Sequence, residues 1–220
     1  MAKKLIVPVI IFLTIIFIDQ GLKLWVKTHM IEGQEIQLIG DRAKLHFVEN
    51  PGMAFSIELP GKFGKILLSV FRLFAIGFLV YTLLDFIKKD KPKGLIYCGA
   101  GILAGAFGNL IDSAFYGLIF TDSYYRIAEL FPQKGYAGFL EGYVVDMLWF
   151  PILRGTFPLW FPLWANEPFE FFRPVFNIAD SAITVSVFII IIFQQRFFPA
   201  TDEIIATASE KPQELKSDTQ

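Results

Sequence analysis

Two aspartates in apolar surroundings carry the chemistry of this chain. Asp146 lies in Gly142-Tyr143-Val144-Val145-Asp146-Met147, and Asp180 lies in Phe176-Asn177-Ile178-Ala179-Asp180-Ser181-Ala182-Ile183, at the head of a long apolar run. An acid at the edge of a hydrocarbon-length segment is costly to keep and usually has a task. Two such acids meeting across a bundle share a proton, which is how carboxylate pairs activate water. Taken singly, each has a plainer explanation. Asp146 would be a solvated loop acid, although Val144-Val145 and Met147-Leu148-Trp149 put it in an apolar setting. Asp180 would be a first-turn acid favoured by the helix dipole. Taken together they point to a membrane-embedded hydrolase.

Other polar residues recur where such a site would need support. Asp19 and Lys23 are four apart and share a helix face; alone they read as a salt bridge or a snorkelling lysine. Asn50-Pro51-Gly52-Met53-Ala54-Phe55 combines a side-chain amide with a turn signal. Gly108-Asn109-Leu110-Ile111-Asp112 puts Asn and Asp three apart, and Asn177 and Asp180 repeat that spacing. Two polar faces at the same depth on two helices would build one buried site.

The elements that must position these residues are membrane spans. Hydrophobic residues make up 54% of the 220 residues, with 25 Phe gathered in long runs. A bilayer crossing takes about 20 mostly apolar residues, and four stretches qualify, at about 5–26, 66–87, 95–119 and 175–195. No small-x-small cleavage site follows the first, which is therefore expected to be an uncleaved span. The expected fold is an all-α membrane protein: a four-transmembrane-helix bundle with a small extracytoplasmic β element and an enlarged outer loop region. The β element is expected from alternation in Ile36–Leu38 and Lys44–Val48 around Gly40-Asp41. Gly101 and Gly105 are spaced for close helix packing in lipid. Residues 120–174 contain a Pro- and Trp-rich tract from Trp149 to Trp164, expected to lie in the headgroup zone as a lid along the membrane surface. Residues 199–220 form a polar tail expected to be disordered.

Basic residues set the orientation. Lys3-Lys4, the Lys88–Lys93 cluster and Arg196 put both termini and the middle loop in the cytoplasm, with 27–65 and 120–174 outside. Twenty basic and 21 acidic residues leave the chain near neutral, so no nucleic-acid partner is expected. Cys98 is the single cysteine, and His29 and His46 are isolated, so no metal or other cofactor is expected.

Five ordered motifs resemble the lipoprotein signal peptidase (signal peptidase II) family: Asp19-x-x-x-Lys23, Asn50-x-Gly52-x-Ala54-Phe55, Gly108-Asn109-x-x-Asp112, Val144-Val145-Asp146 and Phe176-Asn177-x-Ala179-Asp180. The resemblance covers roughly residues 5–195 and implies a peptidase domain over 1–198. It implies an aspartic endopeptidase of the bacterial inner membrane, working as a monomer among membrane lipids. Its substrate would be a diacylglyceryl-modified prolipoprotein, cut on the N-terminal side of the lipidated cysteine. By motif, Asp146 and Asp180 correspond to the catalytic pair. Asn50, Gly52, Asn109, Asp112 and Asn177 correspond to supports of the site, and Asp19 and Lys23 to supporting or substrate-contacting residues. The chain departs from the family pattern in two ways. Ser113 stands where an arginine usually follows Gly-Asn-x-x-Asp, and Arg173, Arg154 and Arg126 are the candidates to replace it. The segments flanking Asp146 are also longer than the compact family pattern. The alternatives are a small transporter or proton-conducting subunit using the intramembrane acids, and a receptor that binds lipidated peptides without cutting them.

Overall fold

The polypeptide begins with a 28-residue helix, α1 (Ala2–His29), in which Asp19, Lys23 and Lys27 recur every fourth residue and so share one face. That face is buried, while Phe17 on the other side is 81% exposed. A hairpin follows, β1 (Glu35–Ile39) and β2 (Ala43–Asn50), with Gly40 at the turn in the left-handed region (φ 50°). Next come α2 (Gly61–Lys88) and α3 (Lys93–Ile111). The last continues through a π-helical turn, Asp112–Tyr116, into the single turn α4 (Gly117–Ile119). Four short strands, β3 (Val144–Trp149), β4 (Leu153–Thr156), β5 (Pro168–Phe171) and β6 (Val175–Phe176), precede α5 (Ile178–Ile192) and α6 (Gln194–Phe197). This computed structural model describes residues 2–51, 61–151, 153–171 and 174–199. Of the expected tail at 199–220, residues 200–220 lie outside the described residues, as does Gly52.

α1, α2 and the α3–α4 run are long and apolar enough to cross a membrane. Large apolar side chains such as Phe74, 75% exposed, lie on their outer faces, as expected for a surface solvated by hydrocarbon. The fourth expected span differs from the sequence reading. Val175 and Phe176 pair with β3, and the helix starts only at Ile178. Its 15 residues rise about 22 Å, short of a hydrocarbon core of about 30 Å. The strand pairing satisfies the backbone of those first residues and so keeps them out of the helix.

α3 is the centre of the bundle, packing against α1, α2 and α5. Its small residues allow this. A Cβ on Gly105 would lie 2.3 Å from the Ala179 carbonyl oxygen, and one on Gly101 would lie 2.4 Å from Ser186 Oγ. The expected close-packing face is therefore where α5 docks.

The expected hairpin is present but belongs to a larger antiparallel sheet of order β1-β2-β3-β6. β3 pairs with β2 so that Val48 faces Asp146 and Asn50 faces Val144. Val26 and Met30 of α1, Leu45 and Phe47 of β2, Val145 and Met147 of β3, and Tyr116 and Phe120 form the core between sheet and bundle. Among the described residues, β4 and β5 pair only with each other, as a separate hairpin carrying the aromatic tract. Lys3, Lys4, Lys91 and Lys93 gather at the opposite end of the bundle, where Lys4 pairs with Asp90.

Candidate active site

The site forms where the C-terminal end of α3 meets α1, β3 and the start of α5. Asn177 caps α5: its side-chain oxygen accepts from the Asp180 backbone N–H at 2.8 Å, and the Asp180 carboxylate accepts from the Asn177 backbone N–H at 3.4 Å. This capping box holds Asp180 against the helix N-terminus. The Asn177 amide then donates to Asp146 Oδ1 at 2.7 Å and to Asn109 Oδ1 at 3.1 Å. Asn109 in turn donates to Asp180 Oδ1 at 2.8 Å. The two aspartates are thus joined through a pair of asparagine amides.

Asp146 sits on a strand, not in a loop. Every residue of β3 except Leu148 is buried, so the strand lacks the alternation that marks one half-exposed to water. Asn50, opposite its neighbour Val144, donates to Asp146 Oδ2 at 3.1 Å. Burial pushes the Asp146 carboxyl up to about 7, and the nearby Asp180 charge adds to the rise. Hydrogen bonds from Asn50 and Asn177 and the charge on Lys23 oppose it. A carboxyl poised there is available both as an acid and as a base near neutral pH.

Beneath this pair lies a fully buried ionic layer. Lys23 Nζ meets Asp19 Oδ2 at 2.9 Å, Asp112 Oδ2 at 2.7 Å and Asn109 Oδ1 at 2.9 Å, which uses its three N–H donors. Asp19 Oδ1 accepts from the Ala179 backbone N–H at 2.9 Å. Asp112 Oδ2 accepts from the Val145 backbone N–H at 3.2 Å, tying the strand that bears Asp146 to the bundle. Gln20 bridges Asp19 and Asp112 through its amide, and its oxygen accepts from Tyr116 at 3.1 Å. Buried charges this fully hydrogen-bonded hold a site rigid, and removing one member strands the others. Among the described residues no cluster of three His, Cys, Asp or Glu is arranged around a metal position.

The structure therefore brings together Asp19, Lys23, Asn50, Asn109, Asp112, Asp146, Asn177 and Asp180. Gly52 lies outside the described residues. Sequence reasoning overlooked Gln20 and Tyr116, although a glutamine beside Asp19 in an apolar helix was a readable signal. It also overlooked Arg72. Of the arginines considered for the position next to Asp112, Arg126 is exposed and pairs with Asp122. Arg173 and the side chain of Arg154 fall outside the described residues. Arg72, from α2, instead donates to Ser113 Oγ at 2.6 Å.

Comparison with known proteins identifies the family. The profile of the signal peptidase (SPase) II family matches residues 11–196. A lipoprotein signal peptidase of Porphyromonas gingivalis is 44% identical over 195 residues, covering 88% of this chain and 84% of the relative. One from Amoebophilus asiaticus is 36% identical over 185 residues, covering 83% of this chain and 75% of the relative. Among solved structures, a bacterial membrane enzyme superposes with a TM-score of 0.57 at 23% identity, covering 88% of this chain and 92% of the other. That likeness shows a shared membrane-enzyme fold. The family profile and relatives this similar along most of both chains establish that the protein belongs to the lipoprotein signal peptidase (signal peptidase II) family of membrane proteases.

Proposed function

We propose that the protein is an aspartic endopeptidase that removes signal peptides from diacylglyceryl-modified prolipoproteins, with Asp146 and Asp180 as its catalytic pair. The observation that carries this is the amide bridge between the two carboxylates, one of them in a buried strand with its proton held to about pH 7. Membership of a protease family favours hydrolysis over the conducting-subunit and receptor alternatives.

In this reading Asp146 is the acid of the pair and Asp180 the base. Asp180 takes a proton from water, and the resulting hydroxide oxygen adds to the carbonyl carbon preceding the lipidated cysteine. Asp146 donates a hydrogen bond to the developing oxyanion, a role that burial strengthens by excluding competing water. When the tetrahedral carbon collapses, the carbon–nitrogen bond breaks and the Asp146 proton passes to the departing cysteine nitrogen. The signal peptide leaves with a new carboxyl group. Proton transfer from Asp180 to Asp146 restores the starting state. Asn109 and Asn177 keep the carboxylates in register, and the Asp19–Lys23–Asp112 layer supports them from below.

The same reading places the enzyme in the bacterial inner membrane with both termini cytoplasmic and the site at the outer face. Lysines gathered at the end remote from the site support that orientation. A four-span count is supported by the continuation of α5 into α6: the run from Ile178 to Phe197 reaches about 30 Å if both are counted. Residues 1–198 would be the peptidase domain, acting as a monomer, with acyl chains of the substrate remaining in lipid.

The test is Asp146→Asn and Asp180→Asn, made separately and assayed on a diacylglyceryl-modified prolipoprotein by mass shift. Each should lose cleavage while keeping wild-type expression and membrane insertion. Near-normal turnover by either removes that residue from the pair.

A further inference from the structure

Arg72 stands in the second membrane-spanning helix among apolar neighbours, with Phe71, Leu73 and Phe74 all exposed on the outside of the bundle. A cation there is expensive unless it faces an interior with work for it. Arg72 is half-buried, and its Nη1 lies 2.6 Å from Ser113 Oγ. The serine is buried and its own hydroxyl donates to the Asn109 carbonyl at 3.1 Å, so its orientation is set. Ser113 follows Asp112 directly and lies one helical turn beyond Asn109. The guanidinium is thereby held at the rim of the site, in electrostatic range of Asp112, Asp180 and Asp146.

The two cations of the site differ in what remains open on them. Lys23 has its three N–H donors engaged. Arg72 carries five, and Ser113 is its one hydrogen-bond acceptor among the described residues; it forms no ion pair with any carboxylate there. Open donors of a planar guanidinium, anchored beside an aspartate pair, suit a neutral acceptor that arrives with the substrate. A peptide carbonyl is such an acceptor.

We propose that Arg72 is a specificity and positioning residue of this site, held by Ser113 so that its free N–H groups bind a backbone carbonyl of the signal peptide beside the bond to be cut. The proposal rests on the peptidase reading above. Arg72 places the peptide, and its charge favours the ionised form of Asp146. A lysine would keep the charge and lose the two-pronged geometry.

The experiment measures kcat and KM across pH on a diacylglyceryl-modified prolipoprotein for wild type, Arg72→Gln, Arg72→Lys, Ser113→Ala and the swap Arg72→Ser with Ser113→Arg. Arg72→Gln should lower kcat/KM by about 10- to 100-fold, the range for losing a charged donor, mainly through KM. Its alkaline limb should move upward, because a cation that favoured carboxylate ionisation is gone. Arg72→Lys should keep the limb in place and still raise KM. Ser113→Ala should raise KM by a smaller factor. The swap should recover at least part of the loss caused by Arg72→Ser alone. Melting temperatures close to wild type for Arg72→Gln and Arg72→Lys would separate these effects from misfolding. Wild type that cuts while Arg72→Gln matches it in KM and pH profile overturns the role of Arg72 alone. Wild type that fails to cut the substrate overturns the peptidase reading and this inference with it.

Discussion

Replacing Asn50 by alanine tests how the proton on Asp146 is controlled. The Asn50 amide donates to Asp146 Oδ2 at 3.1 Å, and it is among the groups that pull the Asp146 carboxyl down against burial. The bond favours the ionised form, so its removal must raise the pKa. Hydrogen bonds to ionised groups contribute about 1.5–3 kcal/mol, and one pKa unit corresponds to about 1.4 kcal/mol. Asn50 is half-buried, so the lower end applies, and the carboxyl should move from about 7 to about 8. If Asp146 supplies a proton in the reaction, the protonated and active form then persists to higher pH. The alkaline limb of kcat/KM should shift upward by about one unit. A diacylglyceryl-modified peptide carrying a fluorescence reporter, assayed in lipid nanodiscs across the neutral and alkaline range, reads this directly. A limb that stays put, or moves to lower pH, would refute the assignment of Asp146 as the acid and the account of its environment.

Further outcomes follow from the packing around the pair. Lys23→Met leaves Asp19 and Asp112 buried without their cation; it should destabilise the protein by about 3–5 kcal/mol, seen as poor yield and a large fall in melting temperature. Gly105→Ala forces a methyl group toward the Ala179 carbonyl, which a Cβ would meet at 2.3 Å. α5 must then move away, at a cost of about 1–3 kcal/mol, and activity should fall together with thermal stability. A Gly105→Ala protein with wild-type melting and turnover would show that α5 does not depend on this contact. Replacing Phe157–Asn166 with a short turn should leave the melting temperature nearly unchanged, because among the described residues β4 and β5 pair only with each other. A large loss of stability would show that the hairpin is part of the core.

The candidate site was more legible than the architecture around it. Asn109–Asp112 and Asn177–Asp180 are three apart in regular helix or at its cap, so local periodicity alone aligned them. Asp19 and Lys23 were readable in the same way, since an i,i+4 pair on a helix shares a face. Asp146 was readable as a buried acid but not as a strand residue. β3 is covered on both faces, and its pairing partner β2 lies about a hundred residues earlier, where no local pattern points to it. Val175 and Phe176 read as the start of a span because they are apolar; distant pairing with Leu148 and Trp149 makes them strand. Arg72 is a lone charge within an apolar helix, and sequence offers no hint that Ser113 is the group it meets.

The candidate dyad and the amides that hold it are drawn from β2, α3, β3 and the start of α5, so the parts are made at widely separated times during synthesis. A nascent chain that has not yet delivered Asn177 and Asp180 lacks both the cap and one of the two acids. Such a chain, even with its first three helices formed, holds only half of the proposed pair. On the proposed assignment, proteolytic competence arrives last, only after β3 has paired with β2 and the final helix has docked on the glycine face of α3. The proposed pair is complete only when the last helix is in place.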